Sequence, residues 1–165
     1  MGERTKRLAL VASKGTLDMA YPPLILATTA TSLGWEAGIF FTFYGLDILH
    51  KDRLERLQVS PIGNPAMPPP ISSVPGLKVP NLLGVVPGMT AVATVMMKGW
   101  MEKANMPSVK ELLDLCVEGA VHLYACATTM GVMGIKQEDL IPAAQCAGAT
   151  TFLDFAAEAD VSLFI

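Results

Sequence analysis

Apolar residues along this chain fall into short runs separated by turn chemistry. Residues 7–13 (Arg-Leu-Ala-Leu-Val-Ala-Ser) form a nearly continuous apolar run, the signature of a strand buried on both faces. Ser13-Lys14-Gly15-Thr16-Leu17-Asp18 then interrupts it with a Gly-containing turn, in which Thr16 or Asp18 suits a helix N-cap. A helix is predicted to continue to Leu33 and stop at Gly34, with Pro22 and Pro23 early enough to be tolerated in a first turn. Residues 35–42, rich in Ile and Phe, read as a second strand. Strand, helix and strand make one right-handed βαβ unit.

Residues 46–57 have the pattern of a helix with a charged outer face, on which His50 would be solvated. Pro61, Pro65, Pro68, Pro69, Pro70, Pro75 and Pro80 then follow, with Gly63 and Gly76 among them. No regular element survives that density, so a Pro-rich loop insertion is expected at about residues 58–81. Its apolar residues, Met67, Ile71, Val74, Leu77 and Val79, favour an ordered arm.

Residues 82–86 could supply a short third strand. Residues 88–103 read as a helix, and its Met89, Val92, Val95, Met96 and Met97 fit a core or a subunit interface better than a cofactor box. Another helix opens at Pro107 and lines Val109, Leu112, Leu113, Cys116 and Val117 along one face, so Cys116 belongs to the core. A strand to Cys126, a helical turn at Gln137-Glu138-Asp139 ended by Pro142, a helix over 148–159 and a strand over 161–165 complete the pattern. Strands alternating with crossovers, without clean polar alternation, predict a single α/β domain over residues 1–165. Its expected form is a doubly wound, flavodoxin- or Rossmann-like three-layer sandwich around a five-stranded, mainly parallel sheet.

Composition sharpens this. Hydrophobic residues reach 52% and charged residues only 16%, against about 25% charged in an average domain. Such a chain covers both faces of a sheet, or hides apolar surface in an oligomer or against a membrane. Residues 79–97 carry no charge and approach the ~20 residues of a membrane helix. Pro80, Asn81, Gly84, Pro87 and Gly88 break the stretch, however, which favours a shorter helix at a subunit interface. A formal charge of −3 and the absence of a Lys/Arg cluster argue against nucleic acid as a partner. Three cysteines without regular spacing make no disulfide framework, which fits a reducing cytoplasm. The charged start is followed by an apolar run too short for a secretory signal, and Lys6 breaks the Met1-Gly2 myristoylation pattern.

The stretch that organises the chemistry is Val121-His122-Leu123-Tyr124-Ala125-Cys126-Ala127-Thr128-Thr129, a strand running into a cysteine, a Thr pair and a helix. Strand carboxyl ends form the ligand crevice of open α/β sheets. A helix N-terminus there presents free N–H groups that favour thiolate over thiol. Cys126 is therefore the candidate reactive sulfur; otherwise it is a small buried hydrophobe. His122 lies on the same side of the strand but roughly 13 Å away, too far to serve as its base. Cys116 should sit by the start of that strand, ~15 Å from Cys126, so no bridge between them is expected. Cys146 has no clear place. No CxxC pair or His-rich spacing calls for a metal or another resident cofactor. The turn Ser13-Lys14-Gly15-Thr16 shares the carboxyl edge with Cys126 and would suit an anionic sulfur species or a small phosphate. Thr128 and Thr129 cap the next helix and can orient Cys126. Candidate substrate-binding residues are Lys14, Gly15, Thr16, Thr42, Thr128 and Thr129.

Several stretches resemble the DsrE/DsrF-like sulfur-relay family, in particular its DsrE2-type branch. They are Ser13-Lys14-Gly15-Thr16-Leu17-Asp18, Phe40-Phe41-Thr42-Phe43-Tyr44-Gly45-Leu46, Asn64-Pro65-Ala66-Met67-Pro68, and Pro80-Asn81-Leu82-Leu83 with Met96-Met97. Ala125-Cys126 through Met133-Gly134-Ile135 and the closing Ala159-Asp160-Val161-Ser162-Leu163-Phe164-Ile165 extend the match over nearly the whole chain. The resemblance implies a sulfur carrier or sulfurtransferase in which a cysteine, here Cys126, holds sulfane sulfur as a persulfide. It also implies homo-oligomers and exchange with rhodanese-like and TusA-like partners, and it offers no family cysteine at the position of Cys146. Membrane segments in some members of the branch leave peripheral membrane contact as an expectation. The alternatives are a non-catalytic module binding a small anion or nucleotide, and a structural subunit of a membrane-associated redox complex.

Overall fold

The computed structural model describes residues 4–60 and 86–165. The chain divides into two compact units, Met1–Leu57 with Ser108–Ile165, and Gln58–Pro107.

The first unit carries the sheet. In chain order it contains β1 (Arg7–Ala12), α1 (Leu17–Ser32), β2 (Glu36–Phe41), then, after the second unit, α3 (Val109–Glu118), β3 (His122–Cys126), α4 (Ala127–Met133), β4 (Ala144–Ala147), α5 (Ala149–Ala157) and β5 (Val161–Phe164). The strands pair in the order β4-β3-β2-β1-β5, every neighbour parallel. This is the five-stranded α/β sheet the pattern predicts.

One of its strands was not expected. Ala144–Ala147, with Ala-Gln-Cys-Ala and no β-branched residue, forms β4 at an edge. The strand expected at residues 82–86 lies, up to residue 85, outside the described residues, as does most of the Pro-rich insertion.

Register sorts the side chains into two faces. Leu10, Ile39 and Leu123 pair across β1, β2 and β3 and are fully buried on the side of α1 and α3. The opposite face packs on α5, where Ala9, Phe40, Tyr124, Cys126 and Ala147 meet Phe152 and Phe155. Phe40 and Phe152 stack there at 4.9 Å between ring centres. At the amino edge Arg7 pairs with Glu36 (2.8 Å) and Glu158 (2.9 Å), and Glu36 also reaches His122 (3.2 Å), linking β1, β2 and β3 with the segment after α5. His122 is thus engaged at the end of β3 remote from Cys126.

Two local expectations are corrected. Residues 46–57 do not form one helix: 3₁₀ turns cover Phe43–Ile48 and Leu54–Arg56. His50 is buried rather than solvated; it bridges to Leu140, and its Nδ1 accepts from the Asp52 N–H at 3.2 Å. Pro22 and Pro23 lie inside α1, beyond its first turn, where each withholds an N–H from the carbonyl four residues earlier. Burial of Leu17, Ala20, Leu24, Ala27 and Ala30 at three- and four-residue spacing holds the helix regardless.

The second unit carries α2 (Met89–Lys103). Thr94 anchors it, accepting from the Val59 N–H at 3.1 Å while donating to the Thr90 carbonyl at 2.7 Å. Ala93 and Thr94 are its buried positions, whereas Val92 and Val95 are exposed. Among the described residues no helix is long and apolar enough to cross a membrane.

Candidate functional site

β3 delivers Cys126 to the carboxyl edge of the sheet, where the extended backbone of this residue (φ −63°, ψ 110°) makes it the N-cap of α4. Its side chain is buried against Tyr124 and Phe152. The register explains its nearest polar neighbour: Phe41 pairs with Ala125, so Thr42, the next residue along β2, arrives beside Cys126. Thr129, in the first turn of α4, sits between them. Its hydroxyl donates to Cys126 Sγ at 3.4 Å and lies 2.9 Å from the Thr42 hydroxyl.

Burial acts on the sulfur most strongly and raises its pKa. The hydroxyl and N–H of Thr129, the Thr42 hydroxyl and the Thr128 N–H act the other way and together outweigh it. The thiol therefore ionises below the ordinary cysteine range, because several donors favour the charged form.

The other predicted residues are placed less closely. Thr128 is exposed and contributes its backbone N–H rather than its hydroxyl. Lys14 is exposed and makes no hydrogen bond or ion pair among the described residues. Gly15 lets two chain segments meet: a Cβ there would collide with the Tyr44 carbonyl, and one on Gly45 would collide with the Ala12 carbonyl. Thr16 caps α1 by its backbone alone, and its Oγ1 and Asp18 Oδ1 are buried without a partner among the described residues. These residues follow β1, two strands from β3 and therefore roughly 10 Å across the sheet. They share the edge with Cys126 without touching it.

The remaining cysteines divide cleanly. Cys116 is fully buried, its Sγ 3.8 Å from the Leu24 carbonyl, and burial pushes its pKa up to about 12. Cys146 is exposed on β4. It pairs with Ala125 while Cys126 pairs with Ala147, so the two cysteines project from opposite faces of the sheet. All three are free.

Sequence reading missed one feature of the rim. Phe43, directly after Thr42, has a left-handed backbone (φ 47°), rare for an aromatic residue, and both it and Tyr44 are exposed. The Phe-Tyr-Gly sequence announces a turn but not that conformation.

A cysteine with converging donors at a strand end narrows the chemistry, and comparison with known proteins decides the family. The model of the DsrE/DsrF/DrsH-like family matches residues 4–164. The chain belongs to this family. It is 43% identical over 160 residues to sulfur carrier protein DsrE2 of Allochromatium vinosum, covering 97% of this chain and 98% of the relative. It is 31% identical to uncharacterized protein YrkE of Bacillus subtilis, with both chains covered in full. The fold is shared with the crystal structure of the YchN protein from E. coli: TM-score 0.57, 12% identity, 98% of this chain and 100% of the other.

Proposed function

We propose that Cys126 takes up sulfane sulfur as a persulfide and hands it to a partner thiol. The observation that carries the reading is the pair of hydroxyls converging on Cys126 at the exit of β3, which favours its thiolate. The thiolate attacks the sulfane sulfur of a donor. The donor's bond to that sulfur breaks, and its electron pair leaves with the donor, as sulfite from thiosulfate or as thiolate from a persulfide. An acceptor thiolate then attacks the outer sulfur, and the pair of the breaking S–S bond returns to Sγ. Neither step changes the net redox state of donor plus carrier, so no cofactor is required.

The Lys14 ammonium, exposed at the same edge, would draw in an anionic donor. Lys14→Ala should then slow loading from thiosulfate a few-fold while leaving alkylation by neutral iodoacetamide unchanged; equal rates from thiosulfate would remove Lys14 from the site. Exposed Phe43 and Tyr44 beside Thr42 offer an apolar rim to a protein partner, for which rhodanese-like and TusA-like carriers are the proposed class. Exposed Phe164, Leu153 and Val95 support assembly into a homo-oligomer, and three free thiols support a cytoplasmic location.

The test is intact mass after incubation with thiosulfate, polysulfide or a persulfidated donor, on wild type and Cys126→Ser. Added sulfur present in wild type and absent in a folded mutant supports the carrier. No added mass with any donor would sink it, and sulfur retained by the mutant would move the site to Cys146 or Cys116.

A further inference from the structure

The hydroxyl of Thr129 differs from the back-bonded hydroxyls of α1 and α2. Thr28, Thr29, Thr31, Ser32 and Thr94 each donate back to a carbonyl three or four residues earlier, as such side chains commonly do in helices. Thr129 instead donates to the sulfur of Cys126. Thr42 is unusual in the same way. It precedes the 3₁₀ turn Phe43–Ile48, yet its hydroxyl does not cap that turn and lies 2.9 Å from Thr129 Oγ1.

Proton counting fixes the direction of this chain. A hydroxyl has one proton to give. When Cys126 is a thiolate it can only accept, and in the observed contact Thr129 spends its proton on Sγ at 3.4 Å. The Thr42–Thr129 bond can then be made in one sense only, with Thr42 donating. The backbone holds both partners: the Thr42 N–H donates to the Ala12 carbonyl at 3.0 Å, and Thr129 is buried in the first turn of α4.

We propose that Thr42 is a positioning residue for the sulfur hand-off, acting through Thr129 to hold a hydroxyl proton on Cys126 Sγ. The inference rests on the carrier reading above and adds a bias to it. In the persulfide the negative charge sits mainly on the outer sulfur, beyond the Thr129 proton. When an acceptor thiolate attacks that outer sulfur, the S–S bond breaks and its electron pair returns to Sγ. The charge then arrives where Thr129, oriented by Thr42, already donates. Release is the step that gains, because a leaving thiolate that is better stabilised leaves faster. The same donors hold this thiol below its ordinary value, in agreement with the geometry.

The test uses the full chain with Thr42→Val, which keeps the shape and removes the hydroxyl, and Thr42→Ser, which keeps the hydroxyl. The pH profile of Cys126 alkylation by iodoacetamide is followed by peptide mass. Thr42→Val should move the midpoint upward by about half a pH unit, making alkylation about threefold slower below it, and Thr42→Ser should recover most of the shift. Release of preloaded sulfur to a small thiol should slow by about two- to threefold in Thr42→Val only.

Thr129→Val, measured in parallel, removes the hydroxyl that touches sulfur and should give the larger shift. If Thr42→Val folds poorly, Thr42→Ala takes its place. A hydroxyl-deleted profile that coincides with wild type, or one that Thr42→Ser matches rather than repairs, would overturn the proposal. Alkylation needs no sulfur donor, so it tests the relay even in a protein that never takes up sulfur. Failure of wild type to load would sink the carrier reading alone.

Discussion

Cys116 and Cys126 are both buried in the same unit, ten residues apart in sequence, and burial pushes both thiols toward higher pKa. For Cys116 nothing opposes that push. Its sulfur lies between α3 and α1, where its polar neighbour is the Leu24 carbonyl, an acceptor that can only hold the proton in place. Cys126 instead faces donors, the Thr129 hydroxyl on its sulfur with Thr42 behind it and the backbone N–H groups of Thr128 and Thr129 nearby, and the sign of the shift reverses. Depth of burial and the polarity of the neighbouring groups therefore act together: Cys116 is the more deeply buried and faces an acceptor, whereas Cys126 is less deeply buried and faces donors at the sheet edge.

The largest expected effect of this contrast is in thiol reactivity. With Cys116 at about 12 and Cys126 lowered from an ordinary value of 9.0, their thiolate fractions at pH 7 differ by at least ~10³. Iodoacetamide at pH 7 should label Cys126 and leave Cys116 untouched until the protein is denatured, as read by peptide mapping. Comparable labelling of both in the native state would break the comparison.

A smaller effect follows from moving the donors instead of the sulfur. A Cβ on Gly45 would collide with the Ala12 carbonyl, the same group that accepts from the Thr42 N–H. Gly45→Ala should cost about 1–3 kcal/mol in a urea melt, as overpacking does. It should also slow alkylation of Cys126 by displacing Thr42. A variant that loses stability while Cys126 keeps its full reactivity would show that the Thr42 contact does not matter.

The smallest effect is on the pH dependence of stability, and the two thiols contribute with opposite signs. Cys116 has a raised folded pKa. Its contribution is fully present below the unfolded value near 8.5, and is lost as pH rises from there toward about 12. Cys126 has a depressed folded pKa, so its contribution is present above the unfolded value and lost as pH falls through the folded one. Between pH 8 and 10 the stability of wild type should fall relative to Cys116→Ala by about 1–2 kcal/mol, on top of the mutant's steady cavity cost of about 1 kcal/mol. Urea melts at the two pH values measure this, and parallel curves would contradict it.

How much of this could be read from the chain depends on the range of the forces involved. The sheet was legible wherever apolar runs are long enough to be buried on both faces, as in β1, β2 and β3. Ala144–Ala147 escaped because strand pairing, rather than side-chain character, makes it a strand. Residues 46–57 carry helix-like spacing, yet tertiary contacts at Leu46, Ile48 and Leu49, with the His50–Leu140 bridge, override it. Cys126 was visible because strand, cysteine, Thr pair and helix are local. The Thr42–Thr129 contact spans 87 residues and exists only through the register of β2 on β3, which the sequence does not state.

The central claim is that sulfur travels on Cys126. Wild type loaded with ³⁴S-labelled sulfane sulfur, digested without reductant and mapped by mass spectrometry, tests it most directly. The account predicts the label on the Cys126 peptide, and its departure when an acceptor thiol is added before digestion. Label on Cys116 or Cys146, or label on Cys126 that no thiol acceptor removes, would contradict it.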